Sequence, residues 1–230
     1  EDVLDKSSFL ELRGNHAANL VTGLGRLDGQ SVGIIANQPD YRAGTIDIGA
    51  SEKAARFVQW CDCFNLPLIT FVDTPGFEPG RDLEWRGMIR HGAELVHAYA
   101  AASVPRLGVI LRKSYGGAYI VMDSKGLGND WCGAWPTAEI AVMGARGAVQ
   151  ILEGKTLRDI SDQDERSAKS ETLEVEYSEK FANPYVAAER GLIDSVIEPR
   201  ETRSVLAKVL EQISSKREPS LFRRHTNTPL

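Results

Sequence analysis

Paired cysteines, an excess of basic residues and long apolar runs are all missing from this 230-residue sequence. Its 3 cysteines are odd in number and lack metal-ligand spacing, which argues against a metal centre or a disulfide framework and favours a reducing compartment. A formal net charge of −5 argues against nucleic acid as a partner, because phosphate-binding surfaces carry a basic excess. With no run of about 18 apolar residues and no signal-peptide pattern, we predict no membrane span and a cytoplasmic location, or the mitochondrial matrix in a eukaryote.

Two familiar catalytic patterns are also incomplete. Residues 73–76, Asp-Thr-Pro-Gly, resemble part of a GTPase, but no glycine-rich loop ending in Lys-Ser/Thr precedes them. Ser114 with His91 would suit a serine hydrolase. However, Ser114 lies before the glycine pair at 116–117 and lacks a nucleophile-elbow pattern. The sequence therefore disfavours a GTPase and a serine hydrolase.

What the sequence does contain is the composition of a globular protein, with 42% hydrophobic and 26% charged residues. Apolar stretches near Ile34, Ile69, Val109 and Ala141 each run into a polar or glycine-containing turn, and helical periodicity follows the later ones. This repeated β-turn-α pattern predicts an α/β fold. We predict one domain over residues 1–230.

Local patterns predict further elements along the chain. Asp28 and Gly29 suit the tight turn of a β-hairpin. The charged stretch near 155–182 predicts a helical excursion, and residues 217–230 an extended basic tail. The other predicted elements are a short helix through Phe9 and Leu10, strands over 66–72, 107–111, 138–143 and 193–197, helices over 50–64 (capped by Ser51), 83–102, 172–177 and 201–214, and a loop over 125–135.

The stretch 112–122 is the best candidate for chemistry. It follows an apolar run and turns abruptly at Gly116 and Gly117 before Ala118. Backbone N–H groups at such a helix start have no intrahelical partner and point together toward whatever lies in front of them, which makes an anion site or an oxyanion hole. The alternative is that the two glycines only let two elements approach closely, and the motif alone favours neither reading.

Several separate blocks, occurring in one order, resemble the carboxyl-terminal half of the carboxyltransferases of biotin-dependent acyl-CoA carboxylases, the family of the propionyl-CoA carboxylase β chains. The likeness begins near Asp2 and reaches Leu230. The resemblance implies an α/β fold of the crotonase type, a spiral of ββα units. The blocks are residues 27–39, 72–77, 88–93, 112–119 and 134–145.

The resemblance also implies a reaction. In this family CO₂ passes from carboxybiotin, carried on a separate carrier protein, to the α-carbon of an acyl-CoA thioester. By resemblance, the N–H groups of Gly117 and Ala118 form the oxyanion hole for the biotin ureido oxygen, while a second hole in the amino-terminal half holds the thioester enolate. Because the ureido nitrogen can take the α-proton, no acid/base dyad is expected in the sequence.

Five other residues are implied to shape the site. Gly116, Tyr119 and Ile120 adjoin the two donors, and Tyr119 and Ile120 are expected to border the acyl pocket. Many propionyl-selective relatives carry Asp at the position of Ile120, so the acyl preference stays open between acetyl, propionyl and longer chains. Gly76 and Phe77 lie on a neighbouring strand-end loop, where they either contact a ligand or form only a rigid turn.

The sequence matches only one half of such an enzyme. The implied partners are an amino-terminal carboxyltransferase half, a biotin carboxyl carrier protein and a biotin carboxylase, in a homo- or hetero-oligomer such as a hexamer. Alone, this chain is expected to show little or no activity. Two alternatives stay open: a subunit of a biotin-dependent acyl-CoA decarboxylase, and a non-catalytic assembly domain of a carboxylase complex.

Overall fold

A mixed sheet organises the protein, for which a computed structural model describes residues 2–218 and residue 229. Its strands are β1 (Leu10–Leu12), β2 (Leu20–Leu27), β3 (Gln30–Asn37), β4 (Leu68–Thr74), β5 (Arg106–Tyr115), β6 (Trp131–Ala134), β7 (Glu139–Ala141) and β8 (Ser195–Val196). The order across the sheet is β1-β2-β3-β4-β5-β6-β8, and β7 pairs with β5. Strands β1 to β3 are antiparallel to one another, and the pairs from β3 onward are parallel.

Helices cover both faces of this sheet. In the described residues they are α1 (Ile48–Cys63), α2 (Arg81–Trp85), α3 (Met88–Ala101), α4 (Gly116–Val121), α5 (Ala145–Leu152), α6 (Gly154–Asp159), α7 (Gln163–Phe181), α8 (Pro184–Glu189) and α9 (Thr202–Ile213). Helices α1 and α3 share one buried cluster with Ile35 and Ile110. Leu206 of α9 belongs to a second cluster with Ile34 and Leu107. The alternation of strand residues between the two clusters confirms the predicted α/β class.

The hairpin predicted at Asp28 and Gly29 is confirmed. Both residues have positive φ angles, 51° and 79°, which match the right-handed twist of the flanking strands. The Asp5 carboxylate accepts hydrogen bonds from both turn N–H groups, at 3.0 and 2.8 Å, and from Arg203 Nη2 at 2.6 Å. The hydrogen bond from Arg203, followed by that from Gly29, lowers the pKa of Asp5. This partly buried carboxylate thus links the hairpin to α9.

Two predictions near the start of the chain are wrong. Residues around Leu10 form strand β1, because they pair with β2 at the edge of the sheet. Edge pairing is a long-range contact that a short apolar pattern does not encode. Helix α1 begins earlier than predicted, so Asp47 is its cap and accepts a hydrogen bond from Ala50 N at 2.8 Å. Ser51 lies buried inside the helix.

Two longer predictions need correction as well. The helix predicted over 83–102 is broken into α2 and α3, because Gly87 adopts a φ of 86° between them. The loop predicted over 125–135 contains strand β6. Parallel pairing with β5 and burial of Cys132 and Ala134 outweigh the turn-rich composition just before them.

The charged region after β7 is helical, as its pattern predicts. Helix α7 includes the predicted segment 172–177 and buries none of its residues in this chain. Asp162 caps it by accepting hydrogen bonds from the N–H groups of Asp164 and Glu165, at 2.8 and 3.0 Å. Apart from residues 217, 218 and 229, the tail predicted over 217–230 lies outside the described residues.

A buried lysine fixes α1 to the loop before β2. Lys53 is only 1% exposed, and its Nζ donates hydrogen bonds to the carbonyl oxygens of Leu20, His16 and Ala17, at 2.6, 2.8 and 3.4 Å. Burial lowers the pKa of this amine. No described helix is long and apolar enough to cross a membrane.

Candidate active site

The candidate site lies where β4 and β5 end, side by side, at one edge of the sheet. Their register shifts between Val72 and Thr74, and Thr74 then pairs with Ser114. The Asp73 carboxylate sits at this bulge, where it accepts a hydrogen bond from Lys113 N at 3.2 Å and lies 3.1 Å from Arg112 Nη2. This bridge extends β5 four residues beyond its predicted end, so the glycine turn follows the strand directly.

The glycine turn is a true strand-to-helix transition. Gly116 has a φ of 58°, and a Cβ there would lie 3.0 Å from the carbonyl oxygen of Val142, so a side chain is excluded twice over. Gly117 and Ala118 follow in the first turn of α4, whose leading N–H groups have no intrahelical acceptor. Among the described residues, no loop or side-chain acceptor binds the N–H of Gly117 or Ala118. The turn therefore has two adjacent N–H groups without an assigned acceptor, one on the exposed Gly117 and one on the fully buried Ala118.

The loop after β4 brings Phe77 against this turn. The backbone of residues 76–78 is held by Ile46, whose N–H donates to Gly76 O at 3.0 Å and whose carbonyl accepts from Glu78 N at 2.9 Å. Phe77 Cε2 then lies 3.4 Å from the position that a Cβ of Gly117 would occupy. Gly76 has a φ of 146°, and its Cβ position faces open space. The sequence prediction that both strand-end loops share one site is consistent with these contacts.

The two residues after the donors point in different directions. Tyr119 is half-buried, and its hydroxyl donates a hydrogen bond to Leu192 O at 3.3 Å. Burial raises the pKa of Tyr119 to about 12, so the phenol is neutral near pH 7. Ile120 is 49% exposed. Tyr119 therefore anchors α4 to the loop before β8, while Ile120 is open to solvent or to a ligand.

A buried polar cluster that sequence reasoning missed supports the far end of α4. Arg106 Nη1 donates to Asp123 Oδ1 at 2.6 Å, and Asn129 Nδ2 donates to Asp123 Oδ2 at 2.9 Å. Arg106 Nη2 also donates to the carbonyl oxygens of Leu127 and Gly128, at 3.0 and 2.7 Å. Burial raises the pKa of Asp123 to about 6, against the lowering effect of Arg106. Because these residues are spread over the chain, no local pattern pointed to the cluster.

The residues of a serine hydrolase are present but not assembled. The Ser114 side chain is fully buried beneath the site. His91 Nδ1 instead lies 3.1 Å from Glu52 Oε1 and 3.3 Å from Glu94 Oε1. No group of three or more His, Cys, Asp or Glu side chains in residues 2–218 and 229 has the geometry of a metal site. What the described site offers is backbone donors.

Several large apolar side chains are exposed on α4, on the segment after β7, and on α5 and α7, of which Val142 is 77% and Ile151 70% exposed. Two of them lie next to the glycine turn: Ile120 follows it in α4, and Val142 O lies 3.0 Å from the Cβ position of Gly116. Isolated exposed apolar residues are ordinary, and we group these five as a candidate contact surface, called the apolar surface below. The members of this apolar surface are Ile120, Val142, Ile151, Leu152 and Val175.

The sheet with helices on both faces and the strand-end donors define an α/β domain of the crotonase type, as predicted. Residues 1–228 match the family described as "Carboxyl transferase domain", and the chain belongs to that family. This confirms the resemblance found in the sequence.

Three relatives illustrate the match. The chain is 56% identical to the carboxyltransferase subunit of propionyl-CoA carboxylase from Haloferax mediterranei, over 99% of this chain and 44% of the relative. It is 49% identical to the methylmalonyl-CoA decarboxylase subunit alpha of Veillonella parvula, over 99% of this chain and 42% of the relative. The crystal structure of transcarboxylase 12S, a hexamer, superposes with a TM-score of 0.92 at 46% identity, over 99% of this chain and 43% of that one. The chain thus spans less than half the length of each.

Proposed function

We propose that this chain is the biotin-side half of an acyl-CoA carboxyltransferase. The observation that carries the proposal is the pair of free, adjacent N–H groups of Gly117 and Ala118 at the end of β5, in a chain of the carboxyl transferase family. Carboxybiotin, when bound, supplies the CO₂ and a ureido oxygen that gains negative charge as the CO₂ leaves. The two N–H groups would donate hydrogen bonds to that oxygen as its charge develops.

The surroundings of the two donors fit a neutral group that becomes anionic. Of the acidic side chains on the flanking strands, Asp73 is paired with the Arg112 guanidinium and accepts a hydrogen bond from Lys113 N, which offsets its charge. Glu139 accepts a hydrogen bond from the hydroxyl of Tyr115, which holds the carboxylate in place but brings no positive charge. Burial and this hydrogen bond raise the pKa of Tyr115, so the phenol stays neutral and adds no negative charge.

The proposed function would need no general base from this chain. The ureido nitrogen of the bound group could take the α-proton of the acyl-CoA, and the two donors would stabilise that group as it forms. The chain's own role is to bind and orient this group and to stabilise its charge. Gly76, Phe77, Gly116, Tyr119 and Ile120 are the residues that we propose to shape the pocket around it.

We further propose that an amino-terminal carboxyltransferase half covers the apolar surface and supplies the acyl-CoA site. This proposal is supported by the exposure of that surface beside the donors and by the greater length of the relatives. A biotin carboxyl carrier protein and a biotin carboxylase complete the proposed assembly, with hexameric transcarboxylase 12S as the precedent. A single domain over this chain and a cytoplasmic or mitochondrial matrix location remain part of the proposal.

The test is carboxyl transfer from carboxybiotin to acetyl-, propionyl- and longer acyl-CoA, with this chain alone and with the amino-terminal half of a full-length relative. Activity is expected only with both halves. Gly117→Pro removes one N–H and should lower kcat by about 10²–10³. Gly117→Ala keeps the N–H, with its Cβ 3.4 Å from Phe77, and should retain most of the activity.

Normal turnover by a folded Gly117→Pro variant would contradict the proposed hole. A stable complex without transfer to any acyl-CoA would favour the assembly-domain alternative. The decarboxylase alternative is supported by the 49% identity to the Veillonella parvula subunit, and it predicts that the reconstituted complex moves CO₂ from a malonyl-type CoA to biotin faster than in the opposite direction.

A further inference from the structure

We infer that Phe77 is a positioning residue for the Gly117 N–H, and that Gly92 of α3 exists to leave room for its ring. The inference rests on the proposed function, because it concerns the same donor. One edge of the ring faces α3: a Cβ on Gly92 would lie 3.0 Å from Phe77 Cζ and 3.1 Å from Cε1. Another edge faces α4: a Cβ on Gly117 would lie 3.4 Å from Cε2 and 3.7 Å from Cδ2. The ring thus separates the two helices.

Gly92 has no other structural reason to be a glycine. It lies in the interior of α3, where glycine is less favourable than alanine. Outside the helix's own backbone, the only described atoms within 4 Å of its Cβ position belong to Phe77. The missing side chain therefore serves the Phe77 ring and not the helix.

Gly117 needs such a neighbour because it cannot hold its own peptide group. It has no side chain to pack, and Gly116 before it is equally free of side-chain constraint. The Phe77 ring closes the space beside it, while the hydrogen bonds of residues 76 and 78 with Ile46 fix the Phe77 backbone. Displacing a donor by about 1 Å can lower the rate by about 10²-fold. The position of the Phe77 ring therefore matters for the proposed catalysis.

The test is Gly92→Ala in the complex reconstituted with an amino-terminal half. At 3.0 Å the new methyl is closer to the ring than ordinary packing allows, so the ring must shift by a few tenths of an ångström. We expect kcat to fall by up to about tenfold, with little change in KM for the acyl-CoA. The thermal unfolding temperature of the chain should change by no more than about a few degrees, because the gain in helix propensity from alanine opposes the cost of displacing the packed ring.

A second substitution shows whether the loss runs through Phe77. In Gly92→Ala/Phe77→Leu, the smaller leucine gives up about the volume that the methyl adds, so most of the lost kcat should return. Gly49→Ala, in the first turn of α1, is the matched control. The new Cβ would make only an ordinary contact, 3.5 Å from Ala17 Cβ. It should leave kcat unchanged.

The outcomes separate the two proposals. If Gly117→Pro is as active as the wild type, the proposed hole fails and this inference fails with it. If Gly117→Pro is inactive but Gly92→Ala has a normal kcat, only the role of Phe77 is overturned. A Gly92→Ala loss that Phe77→Leu does not restore would also overturn it, because the effect would then arise elsewhere. Loss in the single variant with recovery in the double supports the inference.

Discussion

Asp123→Asn tests how the buried polar cluster supports α4. Asp123 is 1% exposed and has a φ of 59°, a backbone conformation that asparagine tolerates, so the substitution removes charge with little added strain. It leaves the Arg106 guanidinium, also buried, without its partner at 2.6 Å. An uncompensated buried charge of this kind costs about 3–5 kcal/mol. That is a large part of the roughly 5–15 kcal/mol of a typical domain.

The assay is urea unfolding of the chain, followed by tryptophan fluorescence. With a slope of about 2 kcal/mol per M, the expected loss lowers the unfolding midpoint by about 2 M. Both charged side chains are almost fully removed from solvent, so the desolvation of the two charges offsets most of their attraction. The pair therefore contributes little net stability, and removing both charges should cost less than removing one.

Arg106→Met/Asp123→Asn is the matched double variant. It leaves no unpaired buried charge, although the carbonyl groups of Leu127 and Gly128 lose a donor. We expect it to be more stable than Asp123→Asn alone. The reasoning is refuted if Asp123→Asn unfolds within about 1 kcal/mol of the wild type, or if the double variant is the less stable of the two.

Three further predictions concern other parts of the chain. Lys53→Met leaves the buried carbonyl of Leu20 and the partly buried carbonyl of His16 without this donor, and should lower the free energy of unfolding by about 1–3 kcal/mol, measured in urea. The lowered pKa of Asp5 gives stability that is present above its unfolded pKa of 3.8 and is lost as the pH falls through the lower folded pKa. Below about pH 4, the Tm of the wild type should therefore fall more steeply with pH than the Tm of Asp5→Asn. In the reconstituted complex, Ile120→Asp should shift the preference in kcat/KM between shorter and longer acyl-CoAs by about tenfold toward the shorter ones, because a carboxylate replaces apolar surface that a longer chain would bury. An unchanged preference would place Ile120 outside the acyl pocket.

Local sequence patterns predicted the elements that their own residues specify, through turn chemistry or through apolar spacing. The hairpin at Asp28 follows from turn chemistry, and α1 follows from its apolar spacing. Strand β1 around Leu10 and strand β6 around Cys132 were missed because pairing with an adjacent strand of the sheet overrides local preference. The break at Gly87 was missed because a single glycine inside a helical pattern is usually tolerated.

The candidate site likewise contains residues that local patterns could identify and residues that they could not. Gly116 to Ala118 could be singled out because a glycine turn after a strand has few uses, and the structure adds the clash with Val142 that makes Gly116 obligatory. Arg106 and Asp123 could not be paired in advance, since they are 17 residues apart and belong to no shared periodic pattern. Gly92 was hidden for a different reason. Its role depends on the shape of a ring that arrives from another loop, and a sequence pattern carries no information on such a contact.

Three groups of this chain support the two donors. Val142 O lies behind Gly116, the Phe77 ring lies beside Gly117, and the Asp123 cluster follows the end of α4. Each support comes from this chain, so the donors are held before any partner arrives, and the reorganisation that a developing charge would otherwise require is already complete. The remaining side carries the exposed Ile120 and Val142. In the proposed assembly, a second half that covers this side would exclude water and strengthen the hydrogen bonds of the donors, without having to position the donors itself. The geometry of the donors can therefore be tested in this chain, and their role in catalysis only in the complex.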